Sequence, residues 1–200
     1  MYNKSSVKSV ERLRRGAGER LIVSGGQMKR PRQWKDFLAN DENKVQFIEL
    51  LLKAWSSPSS APILQGRKVI LICEGKAYGL TSSGETVTVT EIESLESNQE
   101  ETDSRVVLYC MYARENGYST VRVKSPDTDI FFILLHHAHR LHDIRIIFET
   151  GKGRSRSYID ISALAEVHKP LYCTALLGLH AYTGCDSTSS FRSKGKVKPL

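Results

Sequence analysis

The chain has no apolar stretch long enough to cross a bilayer, which excludes a helical membrane span. Its basic opening, MYNKSSVKSVERLRR, is not followed by an apolar segment, so it is not a secretory signal. Cysteines are few and far apart: Cys73, Cys110, Cys173 and Cys185, with no CxxC pair. That spacing argues against a disulfide scaffold and for buried, reduced thiols in an intracellular protein. The sequence has no internal repeat and no sustained heptad pattern. The GKGR at 151–154 lacks the GxxxxGK[ST] frame of a phosphate-binding loop. No small-molecule cofactor is expected.

What is present fits one ordinary domain of 200 residues, with 40% hydrophobic content to build a core. The formal net charge is +7, and the excess is concentrated at the two ends. Arg12, Arg14 and Arg15 lie in a basic opening that runs through residues 1–33, and Arg192, Lys194, Lys196 and Lys198 crowd the close. Such ends attract the phosphate backbone of DNA or RNA, or are simply solvated. Lys29-Arg30-Pro31-Arg32 reads as a nuclear address.

Periodicity predicts a short helix over 7–15 and an amphipathic helix over 42–55, with Val45, Ile48, Leu51, Leu52 and Trp55 on its buried face. SSPSSAP then reads as a linker loop. KVILIC at 68–73 predicts a buried strand and ETVTVT at 85–90 a second one. A helix over 102–116 turns Val106, Val107, Cys110, Met111 and Ala113 inward and stops at Gly117. A strand at 120–124, a helix over 128–141 and a strand at 144–148 follow, and the basic TGKGRSRS makes a loop. Ser162 caps a helix to Val167, and Pro170 opens a last one to Tyr182, ended by Gly184. Strands alternating with helices indicate an α/β fold with a mainly parallel sheet and flanking helices.

Five carboxylates stand where these elements begin or end: Glu101, Asp103, Asp127, Asp129 and Asp186. Ends of elements on one rim of an α/β sheet converge in space, and converging carboxylates need a cation between them. Oxygen ligands of this kind suit Mg²⁺ or Mn²⁺. Asp127 and Asp129, two apart in extended backbone, point the same way. The bland alternative makes Asp127 a helix cap and Asp129 a first-turn acid. The same alternative applies to Asp103, and Glu100 rivals Glu101 for a place in the site. Asp186 follows a helix C-terminus, where the dipole disfavours an acid unless it caps the next helix.

The order of these groups is more specific than any one of them. Glu101-x-Asp103 at a helix start, Asp127-x-Asp129 after a strand and Gly184-Cys185-Asp186 after a helix form a sequence that resembles PIN-like 5′-nucleases of the flap-endonuclease branch. It looks most like an uncharacterised animal group carrying KSPDTD and TGCD motifs, and the likeness covers residues 98–196. The resemblance implies a PIN-like domain in which these five acids hold two divalent metals about 4 Å apart and hydrolyse phosphodiesters. It also implies that residues 187–200 open a helix–hairpin–helix-like element in which Lys194, Gly195 and Lys196 grip phosphates. Family members begin with a strand that ends in a metal-binding Asp. This chain opens at Met1 without one, so the resemblance implies a fragment, a truncated gene model or a decayed copy that lacks the first strand and one or two ligands and would bind metal poorly.

Two other functions remain open on the residues alone. One is a nucleic-acid-binding remnant without catalysis. The other is a phosphatase or transferase using the DxD pair by itself. His136, His137, His139 and His142 make zinc conceivable, though histidines at a helix C-terminus also complement its dipole. Lys152, Arg154 and Arg156 form either a backbone-contacting loop or an exposed turn.

Overall fold

The structure, a computed structural model, describes residues 18–97 and 102–185. The chain, read above as one domain, divides into two compact units, Met1–Glu100 and Glu101–Leu200. Each is a mixed α/β unit built on its own three-stranded sheet.

In the first unit, helices α1 (Trp34–Ala39), α2 (Asp41–Trp55) and α3 (Ala61–Leu64) precede strands β1 (Val69–Cys73), β2 (Lys76–Ser83) and β3 (Thr86–Glu91). The sheet is an antiparallel meander. Two-residue turns force this direction, because a parallel return needs a crossover of a dozen or more residues. Glu74 and Gly75 turn with φ of 49° and 89°, the left-handed pair that a tight hairpin requires. Strand β2 was not legible in KAYGLTSS, which has a glycine in its middle. A Cβ on Gly79 would meet the Ile92 side chain at 3.0 Å and those of Lys68 and Thr90 at 3.2 and 3.3 Å, so the strand packs tightly there.

Helix α2 departs from its expected amphipathic pattern. Its fully buried residue is Asn43, while Val45, Ile48, Leu51 and Leu52 are half-buried and Trp55 is 37% exposed. Asn43 Nδ2 donates to the carbonyls of Glu19 (2.9 Å) and Phe37 (3.0 Å), and its Oδ1 accepts from Leu21 N (2.9 Å). Gln46 grips Leu21 O and Val23 N in the same way. The segment through residues 18–23 is thus strapped along the helix by side-chain amides. SSPSSAP is a 3-10 turn at Pro58–Ser60 running into α3, with Ala61 fully buried, and not the expected loop.

In the second unit, α4 (Thr102–Glu115), β4 (Thr120–Lys124), α5 (Thr128–His137), β5 (Arg145–Thr150), β6 (Ser157–Asp160), α6 (Ile161–Val167) and α7 (Pro170–Tyr182) follow in order. Strand β4 pairs parallel to β5, joined through α5, and β6 returns antiparallel beside β5. The expectation of a mainly parallel sheet is therefore corrected: among the described strands β4–β5 is parallel and the other three pairings are antiparallel. The short 151–156 connection again allows only an antiparallel return.

The core of this unit lies on one face of the sheet. Ile146 and Phe148 meet Leu134, Leu135 and Leu141, together with Val106, Cys110 and Cys173. Met111, expected inward, is 38% exposed. Ser162 does not cap α6. Asp160 does, accepting from Ala163 N at 3.0 Å, while the Ser162 hydroxyl accepts from Ile146 N at 2.9 Å and ties α6 to β5. Helix α7 opens at Pro170, as the sequence predicts.

Candidate functional site

The carboxyl end of β4 runs straight into Ser125-Pro126-Asp127. Ser125 N donates to Glu149 O (3.0 Å), carrying the parallel pairing one residue past the strand. Ser125 Oγ accepts from Asp127 N (3.0 Å) and so tightens the turn. Proline then ends the strand and frees the chain to start a helix. Asp127 has extended backbone (φ −88°, ψ 126°) and accepts from Asp129 N at 2.9 Å. It is the N-cap of α5.

Asp129 sits in the first turn of α5 with its side chain 16% exposed. Its Oδ1 receives a 2.6 Å hydrogen bond from Nε2 of His180, whose side chain is 3% exposed on α7. Phe132, one turn further along α5, stacks on the His180 ring at 4.4 Å between centroids. Two turns on, His136 Nδ1 meets Thr174 Oγ1 at 3.2 Å. Helices α5 and α7 therefore run antiparallel along a seam whose polar contacts fix Asp129 in one orientation.

A second carboxylate lies at the same end of the sheet, on its other face. Glu149 closes β5 with its side chain 3% exposed. Its Oε1 is 3.1 Å from Lys124 Nζ and 3.4 Å from Arg156 Nε, and its Oε2 is 3.4 Å from Arg122 Nε. These are charge contacts more than aligned hydrogen bonds, and Oε1 has no hydrogen-bond partner of good geometry. The Lys124 ammonium holds the Glu149 carboxyl below its usual range against the opposing effect of burial, with Arg156 and Arg122 adding to it.

The sequence-derived site divides as follows. Asp127 and Asp129 both lie at the turn after β4, but not as the expected pair in extended backbone: Asp127 caps α5, and Asp129 is already helical and turned to His180 on α7. Asp103 lies in the first turn of α4, where an acid complements the dipole. Glu101 and Asp186 lie outside the described residues, as do Arg12, Arg14, Arg15, Lys194, Gly195 and Lys196. Carboxylate oxygens are the right donors for Mg²⁺ or Mn²⁺. Among the described residues, however, no three His, Cys, Asp or Glu side chains gather into a group that could hold a metal. Any such set on this rim therefore needs at least one ligand from outside the described residues.

The histidine run makes no zinc site among the described residues either. His142 pairs with Asp143 at 2.7 Å, and burial, reinforced by His136 and Arg140, pushes His137 below its ordinary value.

Sequence reasoning missed His180 and Glu149. His180 is the one histidine in the largely apolar run LYCTALLGLHAY, and that is the available signal. Glu149 is the charged end of the apolar IRIIFE.

Compared with protein-family models, with curated proteins and with solved structures, the chain matches none.

Proposed function

We propose that the chain is a PIN-like, divalent-metal-dependent phosphodiester hydrolase domain acting on DNA or RNA. One observation carries this reading. Asp127 and Asp129 stand just beyond the carboxyl end of the strand that pairs in parallel, the rim where open α/β sheets place their ligands, and a buried histidine orients Asp129. Asp127, Asp129 and Asp103, joined by Glu101 and Asp186, would hold Mg²⁺ or Mn²⁺. The metal would activate water and stabilise the leaving oxygen.

The chain's own residues have narrower tasks. His180 donates to Asp129 Oδ1, fixing the carboxylate's rotation as outer-shell partners of metal ligands do. Phe132 packs its ring against that of His180, 4.4 Å between centroids, and so helps fix the imidazole. The Ser125 hydroxyl accepts from Asp127 N and holds the turn that sets Asp127 at the N-cap of α5. The basic ends, Arg12, Arg14, Arg15, Lys194 and Lys196, would attract the substrate backbone.

The test is cleavage of single-stranded, flap and hairpin oligonucleotides with and without Mg²⁺ or Mn²⁺. Metal-dependent cleavage that is lost in both Asp129→Ala and Asp186→Ala is the expected result. Cleavage that survives either substitution defeats the assignment.

A second reading has its own observation. Asp127 is engaged in capping α5 and Asp129 in the His180 bond, as both would be in a domain that binds nucleic acid without cutting it. Salt-sensitive binding with no cleavage at any metal concentration favours it.

A further inference from the structure

The two faces of the second sheet are unlike. Alternation along β4 puts Val121 and Val123 on the core face and Thr120, Arg122 and Lys124 on the other. The strand pairings extend that second face across the sheet. Arg122 lies beside Ile147, and Ile147 beside Asp160. Lys124 lies beside Glu149, and Glu149 beside Tyr158. Arg156, in extended backbone two residues before Tyr158, projects from the same side.

The charge on this face is unbalanced. Arg145 and Asp160 neutralise each other at 2.8 Å. Arg122, Lys124 and Arg156 all converge on the single carboxylate of Glu149, yet their side chains remain 65%, 63% and 45% exposed. One buried anion thus holds three cations upright and leaves an excess of positive charge facing outward. Every residue from Gly151 to Tyr158 is exposed, so Lys152 and Arg154 add to this field. Tyr158 is 53% exposed beside the cations and offers a flat aromatic surface.

We propose that this face binds single-stranded nucleic acid, with Arg122, Lys124, Arg156 and the 151–156 loop on phosphates and a base stacked on Tyr158. Cations flanking an exposed ring are the combination that binds a single strand without sequence readout. An anionic membrane would need apolar side chains to insert, and among the cations this face offers Ile147, which is half-buried. The proposal rests on the reading that the chain handles nucleic acid, and it places a contact surface on the face of the sheet opposite the core, whereas Asp129 is held on the α5 side by His180.

Fluorescence anisotropy with a short labelled oligo(dT) strand tests it on the whole chain. We expect Tyr158→Ala and the Lys152→Ala/Arg154→Ala pair each to weaken binding by about tenfold. The pair should also flatten the salt dependence by about 0.7 per lost phosphate contact. We expect Glu149→Gln to tighten binding, since it releases three cations from their internal partner. A merely structural Glu149 would not move affinity in that direction. Tyr158 and the loop do not supply the buried carboxylate's partners other than Arg156, so their variants carry the test if Glu149→Gln fails to fold. Wild-type binding unchanged by the Tyr158 and loop variants overturns this surface and leaves the nucleic-acid reading standing. No binding by the wild-type chain overturns both. Stronger binding to phosphatidylserine vesicles, not competed by the oligonucleotide, assigns the face to a membrane and sinks the proposal.

Discussion

Asp127 serves two purposes that substitution can separate. As an N-cap it satisfies an amide at the start of α5, and Asp127→Ala removes that at a cost of about 1 kcal/mol. In a unit of this size that lowers Tm by about 4–8 °C. Asn caps as well as Asp, so Asp127→Asn should melt like the wild type. If the carboxylate is also a metal ligand, the Asn variant loses Mg²⁺-dependent cleavage all the same. A calorimetric scan beside a cleavage assay reads both quantities. Asp160 makes a prediction about acid. The Ala163 amide, then the Arg145 guanidinium, hold its carboxyl below the ordinary range. Its stabilisation is therefore fully present above the unfolded value of about 3.9 and is lost as pH falls through the depressed folded value. Glu149, shifted in the same direction, behaves alike. Urea midpoints measured between pH 6 and 2 should fall less steeply in Asp160→Asn than in the wild type. Equal slopes would show that the cap and the ion pair contribute nothing.

At the scale of elements, local sequence and observed structure agree best where one periodicity dominates. Helix α5 is the clearest case. Its TDIFFILLHH places Leu134 and Leu135 in the core, and Leu134 is fully buried. Leu134→Ala should cost about 2–5 kcal/mol, seen as a lowered denaturant midpoint with unchanged slope. The α2 strap is a polar counterpart. Asn43 is buried with three hydrogen bonds to the backbone of Glu19, Leu21 and Phe37, so its replacement by Leu leaves those groups unpaired. Helical periodicity marked Val45, Ile48, Leu51 and Leu52 as the buried face and could not mark Asn43, because burial of an amide depends on which backbone lies across from it. The same limit hid β2 and β6. KAYGLTSS and SYID carry little apolar signal, and their pairing with stronger strands, set by short turns, is what makes them strands.

For the whole molecule, thiol chemistry gives a direct check on packing. Cys73, Cys110 and Cys173 are buried, and burial pushes the Cys110 thiol up to about 11, so almost no thiolate forms at neutral pH. Half-buried Cys185 should react first with a thiol reagent, and the other three only as the protein unfolds. Simultaneous labelling of all four in native buffer would contradict the described cores. No described helix is long and apolar enough to cross a membrane, in keeping with the hydropathy of the sequence.

By itself the sequence determined helices α4, α5 and α7, the stronger strands β1, β3, β4 and β5, the turn after β4 with its two acids and the basic bias of the chain. These depend on backbone preferences and on hydrogen bonds within a few residues. Tertiary structure alone decided that His180 reaches Asp129 across 51 positions, that Glu149 gathers three cations, and that only one pairing among the described strands is parallel. Those outcomes follow from how helices pack and how short a connection must be. Neither is written in the residues that end up in contact.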